Sequence, residues 1–206
     1  MKPIIYAVRL KRGLAESEAA VLLKAADSSA TARYKNRPGA PNADMSLVGS
    51  AAMRIAAAAA AGVPAADILI KRDENGKPYI SGDGLYISLS HSKSLCVCAV
   101  CGVPVGIDVE YIKETYPERV MNKYFSPDER DFVLSAEESG QAARFYVVWT
   151  RKESVLKCSG EGVSALSAVN EDCYDVKSGI VFGKYALSIC SKTLFTDSSL
   201  KINGGV

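Results

Sequence analysis

Strong charge of one sign is missing from this chain: 25 Lys and Arg stand against 23 Asp and Glu, for a formal net charge of +2 over 206 residues. A balance so close to neutral excludes a chain-wide basic field, and with it nucleic acid as an expected partner; any anion site must be built locally. Long apolar runs are also scarce. The run from Pro3 to Val8 is ended by Arg9, too short for a signal-peptide core and without a small-residue cleavage pattern after it. The stretch from Met45 to Val63 approaches spanning length, but Arg54 sits in its middle and most of it is weakly apolar alanine. The expectation is a cytoplasmic protein with no membrane partner. Histidine occurs once, at His91, and no Ser-His-acid relay can be read around it. Cys96, Cys98 and Cys101 cluster, yet no second ligand pair follows at finger-like spacing, so buried reduced thiols in a strand are expected rather than zinc.

What is present is an ordinary globular composition, 48% hydrophobic and 23% charged, enough for one core or two small subdomains sharing one. Ile4 to Val8 reads as a strand, and Ser17 to Tyr34 as a helical region with Ala19, Leu22, Leu23 and Ala26 at helical spacing. A basic, proline-bearing loop leads to an alanine-rich helix, capped by Asn42 or Asp44 and stopped by Gly62. Segments Asp67 to Lys71, Lys77 to Ile80, Tyr86 to Ser90 and Leu95 to Cys101 suggest an antiparallel meander punctuated by Gly- and Asp-containing turns. Gly106 to Glu110 reads as a strand, followed by helices to about Ser159; Ser126-Pro127-Asp128-Glu129 has the spacing of a capping box, and Gly160 ends the last helix. The tail from Val163 to Ile202 returns to short strands. The order strand, helices, strands thus occurs twice, which predicts an α+β fold of two similar α/β subdomains, 1–104 and 105–206, related by a pseudo-two-fold with the site at their interface. Two halves in one chain suit a monomer.

In Gly106-Ile107-Asp108-Val109-Glu110 the strand period of two puts Asp108 and Glu110 on one face and Ile107 and Val109 on the other. Converging carboxylates call for a cation, and oxygen-only ligands favour Mg²⁺ or Mn²⁺; a solvated strand edge is the plainer alternative. In Trp149-Thr150-Arg151-Lys152-Glu153-Ser154-Val155-Leu156-Lys157, residues Trp149, Glu153 and Lys157 form one helical stripe, which is either functional or a surface ion pair. Ser88-Leu89-Ser90-His91-Ser92 ends a strand with hydroxyl and imidazole donors that suit phosphate, and Lys77 stands beside a turn where it faces either phosphate or water.

Together these spacings resemble the 4′-phosphopantetheinyl transferases. Gly106 to Glu110, followed some forty residues later by Trp149-x-x-Lys152-Glu153-x-x-x-Lys157, is similar to the family's paired signature. Ser90-His91-Ser92, Gly76-Lys77-Pro78 and Phe125-Ser126 fall in the order of its larger, single-chain Sfp-like class, with fainter likeness at Arg33-Tyr34 and Leu47-Val48-Gly49.

The resemblance implies transfer of the 4′-phosphopantetheine arm of coenzyme A to a serine hydroxyl of an acyl or peptidyl carrier protein, releasing adenosine 3′,5′-bisphosphate. It implies that Asp108, Glu110 and Glu153 hold Mg²⁺ against the diphosphate, that Glu153 accepts the serine proton, and that Lys157 assists the departing phosphate. Lys77, Ser90, His91, Arg33 and Lys152, together with Asp108 and Lys157, would contact coenzyme A, with Lys35 and Arg37 as further candidates. Met121, Tyr124 and Phe125 would receive the carrier, although Phe125 can equally be core. The chain departs from the pattern at Met45, where an arginine is expected. A non-catalytic module that binds coenzyme A or a carrier is the alternative function.

Overall fold

The computed structural model describes residues 2–74, 76–82, 84–161, 166 and 173–192, and the backbone of 203–204. Strand β1 (Ile4–Arg9) is followed by helices α1 (Glu16–Leu23), α2 (Ser28–Asn36) and α3 (Pro41–Ala61). Strands β2 (Ile70–Arg72) and β3 (Pro78–Ile80) form a hairpin of their own. Strands β4 (Tyr86–Ser92), β5 (Leu95–Cys101) and β6 (Val105–Tyr111) lead to helices α4 (Glu118–Tyr124), α5 (Pro127–Leu134) and α6 (Glu138–Ser159). Strands β7 (Asp175–Val181), β8 (Tyr185–Ser191) and β9 (Asn203–Gly204) follow.

The strands make two main sheets, ordered β4-β5-β1-β9 and β6-β8-β7. In each, the second strand of a hairpin sits centrally between its hairpin partner and the strand that precedes the helices: β5 between β4 and β1, β8 between β7 and β6. The sheets lie face to face. Leu95, Val97, Ala99 and Cys101 of β5 meet Val105, Ile107 and Val109 of β6 and Leu187 and Ile189 of β8 in one buried cluster. The other face of β5, through Cys98 and Val100, packs on Met53, Ala56 and Ala57 of α3. The other face of β8, through Cys190, packs on Val155 and Cys158 of α6. The result is four layers, helix, sheet, sheet, helix, and explains why β5 is buried along its whole length and reads as one unbroken apolar run.

Gly106 fixes how closely α6 approaches. A Cβ there would stand 1.9 Å from the Ser154 carbonyl oxygen, so only glycine lets helix and strand backbones touch. At the other end of α6, Gly160 takes the left-handed conformation (φ 84°) that terminates the helix.

Several expectations are borne out: the capping box at Ser126 and Glu129, with Pro127 at the first helical position, and the stops at Gly62 and Gly160. The six cysteines, all among the described residues, form no disulfide, and burial pushes Cys96 up to about 12 and Cys98 further in the same direction. Others need correction. The helical region after β1 is two helices, because Asp27 accepts the Ala30 amide at 2.8 Å and starts a new one. Neither Asn42 nor Asp44 caps α3; Ala40 does, with Pro41 at N1, while Asp44 is buried and accepts the Leu14 amide at 3.0 Å. The meander is divided, since β2 and β3 pair apart from β4 and β5. Of the strands expected in the tail, β7 and β8 are seen; 163–165, 167–172 and 193–202 lie outside the described residues, as do Asn75 and Asp83 of the two expected turns. Among the described residues no helix is long and apolar enough to cross a membrane.

Candidate active site

Strand β6 is the edge of its sheet, and its outward amides need partners. Serines spaced by two on β4 supply them. The Ser88 hydroxyl accepts the Ile107 amide and the Ser92 hydroxyl accepts the Tyr111 amide, each at 3.0 Å. The same stripe grips the acids of β6: Ser90 donates to Asp108 Oδ1 at 2.7 Å and Ser92 donates to Glu110 Oε2 at 2.8 Å. The stripe therefore joins the two sheets and aims the two carboxylates, and Ser92 does both with one hydroxyl.

Helix α6 brings the remaining groups. Thr150 and Ser188 share a buried hydrogen bond of 2.8 Å that seats the helix on β8. One turn on, Glu153 and Lys157 face β6, and Lys157 Nζ lies 2.6 Å from Asp108 Oδ1. Burial pushes the Glu153 carboxyl above the usual range; Asp108 and Glu110 add to the shift and Lys157 opposes it. Burial also raises Glu110, with the Ser92 hydrogen bond opposing and Asp108 reinforcing. Asp108 thus acts on both glutamates, and Glu110 acts on Glu153.

A cleft of about 310 Å³ opens beside them, lined by Arg72, Lys77, Ser88, Glu153 and Lys157 among others. Lys77 donates to the Cys158 carbonyl at 3.4 Å, and its ammonium is lowered chiefly by burial. His91, at the end of β4, is lowered by desolvation and then by the positive charges of Lys157 and Arg33. Arg33 itself is exposed on α2 and donates to Ser29 Oγ at 2.8 Å. Lys35 and Arg37 are exposed at the end of α2. The chain therefore collects amines, guanidinium groups and imidazole around a cluster of acids, a combination suited to a polyphosphate bridged by a cation.

Other expected residues lie elsewhere. Lys152, offset by about 100° from Glu153 on the helix, is buried and pairs with Glu129 Oε1 at 3.0 Å, so it braces α5 against α6 and does not line the cleft. A second cleft of about 400 Å³, lined by Asp128, Glu129, Phe132, Val147, Val148 and Arg151, lies on that other side of α6; its Glu129 is already committed to Lys152 and to the Ser126 amide. Met121 and Phe125 are buried, with Phe125 stacked on Phe145 at 5.1 Å, because the short α4 turns its apolar side onto α6. They cannot receive a partner as they stand. Tyr124 is half-buried beneath Lys123, whose ammonium lies 4.8 Å from its ring centre. Trp149 joins the same aromatic group. Met45, where an arginine is expected, is sunk in an apolar cluster with Val48 and Cys96 and offers no polar contact. Ser90 is 9% exposed and commits its proton to Asp108, which makes it a support for the acid in this arrangement. Arg72 and Ser92 escaped the sequence reading as separate site residues. The alternation Ser88, Ser90, Ser92 held a signal for the latter; nothing local pointed to Arg72.

The fit of a divalent cation rests on Asp108. Its Oδ1 accepts from Ser90 and Lys157, whereas Oδ2 is buried without a hydrogen-bond partner. A bare carboxylate oxygen flanked by two acids of raised pKa is a hard, oxygen-only donor set, and Mg²⁺ or Mn²⁺ suits it. Among the described residues no three such side chains already form a closed metal cluster, and Lys157 and Ser92 serve as the acids' present partners.

Comparison with known proteins follows this division. Residues 104–190 match the model of the 4′-phosphopantetheinyl transferase superfamily. A 4′-phosphopantetheinyl transferase of Bacillus subtilis is 32% identical over 161 residues, covering 78% of this chain and 71% of the relative. The chain belongs to this superfamily. The transferase gsp of Aneurinibacillus migulanus is 33% identical over 131 residues, 64% of this chain and 53% of its own, and psf-1 of Bacillus pumilus 36% over 103 residues, 50% and 44%. The chain thus spans about half the length of these last two relatives. The family match includes Asp108, Glu110, Glu153 and Lys157 of the transferase, and excludes Arg33, Lys77, Ser90 and His91.

Proposed function

We propose that this transferase moves the 4′-phosphopantetheine arm of coenzyme A to a serine hydroxyl of an acyl or peptidyl carrier protein. The carrier serine oxygen attacks the phosphorus bearing the pantetheine arm, a new P–O bond forms, the diphosphate bridge breaks, and adenosine 3′,5′-bisphosphate leaves. Asp108, Glu110 and Glu153 would hold Mg²⁺, or Mn²⁺, which when bound neutralises negative charge on the diphosphate. Glu153 accepts the serine proton; its raised pKa brings it closer to what a base working near neutrality needs. Lys157, already against Asp108, would assist the oxygen that leaves. Lys77, His91 and Arg33 form the basic rim for the phosphates of coenzyme A.

The observation that carries this reading is the bare Oδ2 of Asp108 beside two carboxylates of raised pKa, at a cleft ringed by cations. The matching strand orders of the two main sheets support a pseudo-two-fold between halves 1–104 and 105–206, with the cleft at their joint. A cytoplasmic monomer fits its reduced thiols and its site built within one chain. Calorimetric titration of coenzyme A with and without Mg²⁺, followed by detection of bisphosphate once a carrier is added, tests the reading. Metal-strengthened binding with product release is expected. Binding without product would make the chain a binding module, and no binding at all would contradict the site.

A further inference from the structure

Two basic residues stand on separate elements: Lys77, at the end of the turn between β2 and β3, lines the cleft, and Arg33 on α2 acts by its charge on His91. One carboxylate holds the base of both. Asp27 Oδ1 caps α2 through the Ala30 amide at 2.8 Å. Its Oδ2 takes the Arg72 guanidinium at 3.0 Å and the Ser50 hydroxyl, also at 3.0 Å, while Ser50 Oγ in turn accepts the Asp27 amide at 2.7 Å. Arg72 then donates from its other terminal nitrogen to the Gly76 carbonyl at 3.0 Å. That carbonyl immediately precedes Lys77, whose own amide is fixed by Asp73 at 2.8 Å and whose ammonium reaches the Cys158 carbonyl on α6. Arg72 and Gly76 themselves line the cleft.

The Asp27 side chain is 9% exposed and the Arg72 side chain 26%, so the pair is well shielded from solvent, and its loss leaves a guanidinium uncompensated beside the cleft. Burial works against the charge on Asp27, but the Ala30 amide, Arg72 and Ser50 outweigh it and hold the carboxyl below its ordinary value. An N-cap needs only a side-chain acceptor, which Asn supplies as well as Asp. The acid at this position is therefore in excess of what the helix requires, and its partner is Arg72.

The geometry points to Asp27 as a positioning residue that, through Arg72, sets the Lys77 turn and the Arg33 helix in one register for the phosphates of the anionic substrate. This rests on the proposed site for coenzyme A. Asp27→Asn keeps the cap and removes the charge; Arg72→Met removes the guanidinium at similar length. Asp27→Asn is expected to raise KM for coenzyme A about tenfold, with kcat and the carrier KM holding within twofold. The double variant should bind coenzyme A no more weakly than Arg72→Met alone, because the two residues act in series. Amide hydrogen exchange at Gly76 and Lys77 should quicken at least tenfold in Asp27→Asn, a readout that needs no ligand. Unchanged exchange, a loss in kcat without a change in KM, or additive effects would overturn the inference. Faster exchange in a chain that fails to bind coenzyme A as wild type would uphold the brace and overturn the proposed substrate instead.

Discussion

Asp108 has two oxygens with different surroundings: one accepts Ser90 and Lys157, the other is buried and bare. Glu153 stands beside it, and burial and the charge of Asp108 raise its carboxyl above the ordinary value of 4.5. The folded chain therefore binds this proton more tightly than the unfolded chain does. Stability falls as pH rises from the ordinary value through the raised one, and the cost is fully present above that window. Glu153→Gln removes the cost. In the absence of metal the variant should unfold at a higher denaturant midpoint than wild type at pH 7, with the difference vanishing below pH 4.5. Transfer should drop by roughly 10²–10⁴, the usual share of a general base. A variant less stable than wild type at pH 7, or one of full activity, would contradict the role. At this scale the pairing of Asp108 with Glu110 was legible, because a strand period of two leaves no choice of face. The hydroxyls and amines that hold them were not, because those arrive from β4 and α6.

Helix α6 separates two functions by rotation. Its face toward β6 presents Glu153 and Lys157, while Lys152, one step around, turns to Glu129 on α5. Glu129 Oε2 also accepts the Ser126 amide at 2.6 Å, so one carboxylate closes the capping box and holds the next helix. The Lys152 side chain is only 5% exposed, and removing one member of a buried pair is costly. Lys152→Ala should lower stability by about 3 kcal/mol, read by chemical denaturation, while KM for coenzyme A stays within twofold. A large rise in that KM with unchanged stability would return Lys152 to the binding site. The limits of local reading are visible in the same elements. Helix ends fixed by their own neighbours, such as Ser126 with Glu129, or Gly62 and Gly160, could be read directly. The break at Asp27 could not, since that cap is held by Ser50 and Arg72 from far along the chain. Met121 and Phe125 looked available because nothing local showed that Phe145 would cover them.

The whole molecule places its chemistry on a seam. Strand β4 belongs to one sheet and β6 to the other, and the serines between them both close the seam and aim the acids. The repeated order of strand, helices and strands pointed to two similar halves; the face-to-face packing of the two main sheets through β5 and β8 emerged only from tertiary structure. The cleft of about 310 Å³ also lies on the seam, with Lys77 and Ser88 from one half and Glu153 and Lys157 from the other. The central claim is that these parts perform transfer, and the most direct measurement is the intact mass of an apo carrier protein incubated with the chain, coenzyme A and Mg²⁺. Wild type should add one phosphopantetheine per carrier, and a chelator or Glu153→Ala should prevent it. An unmodified mass across several carriers, or full modification by Glu153→Ala, would contradict the account.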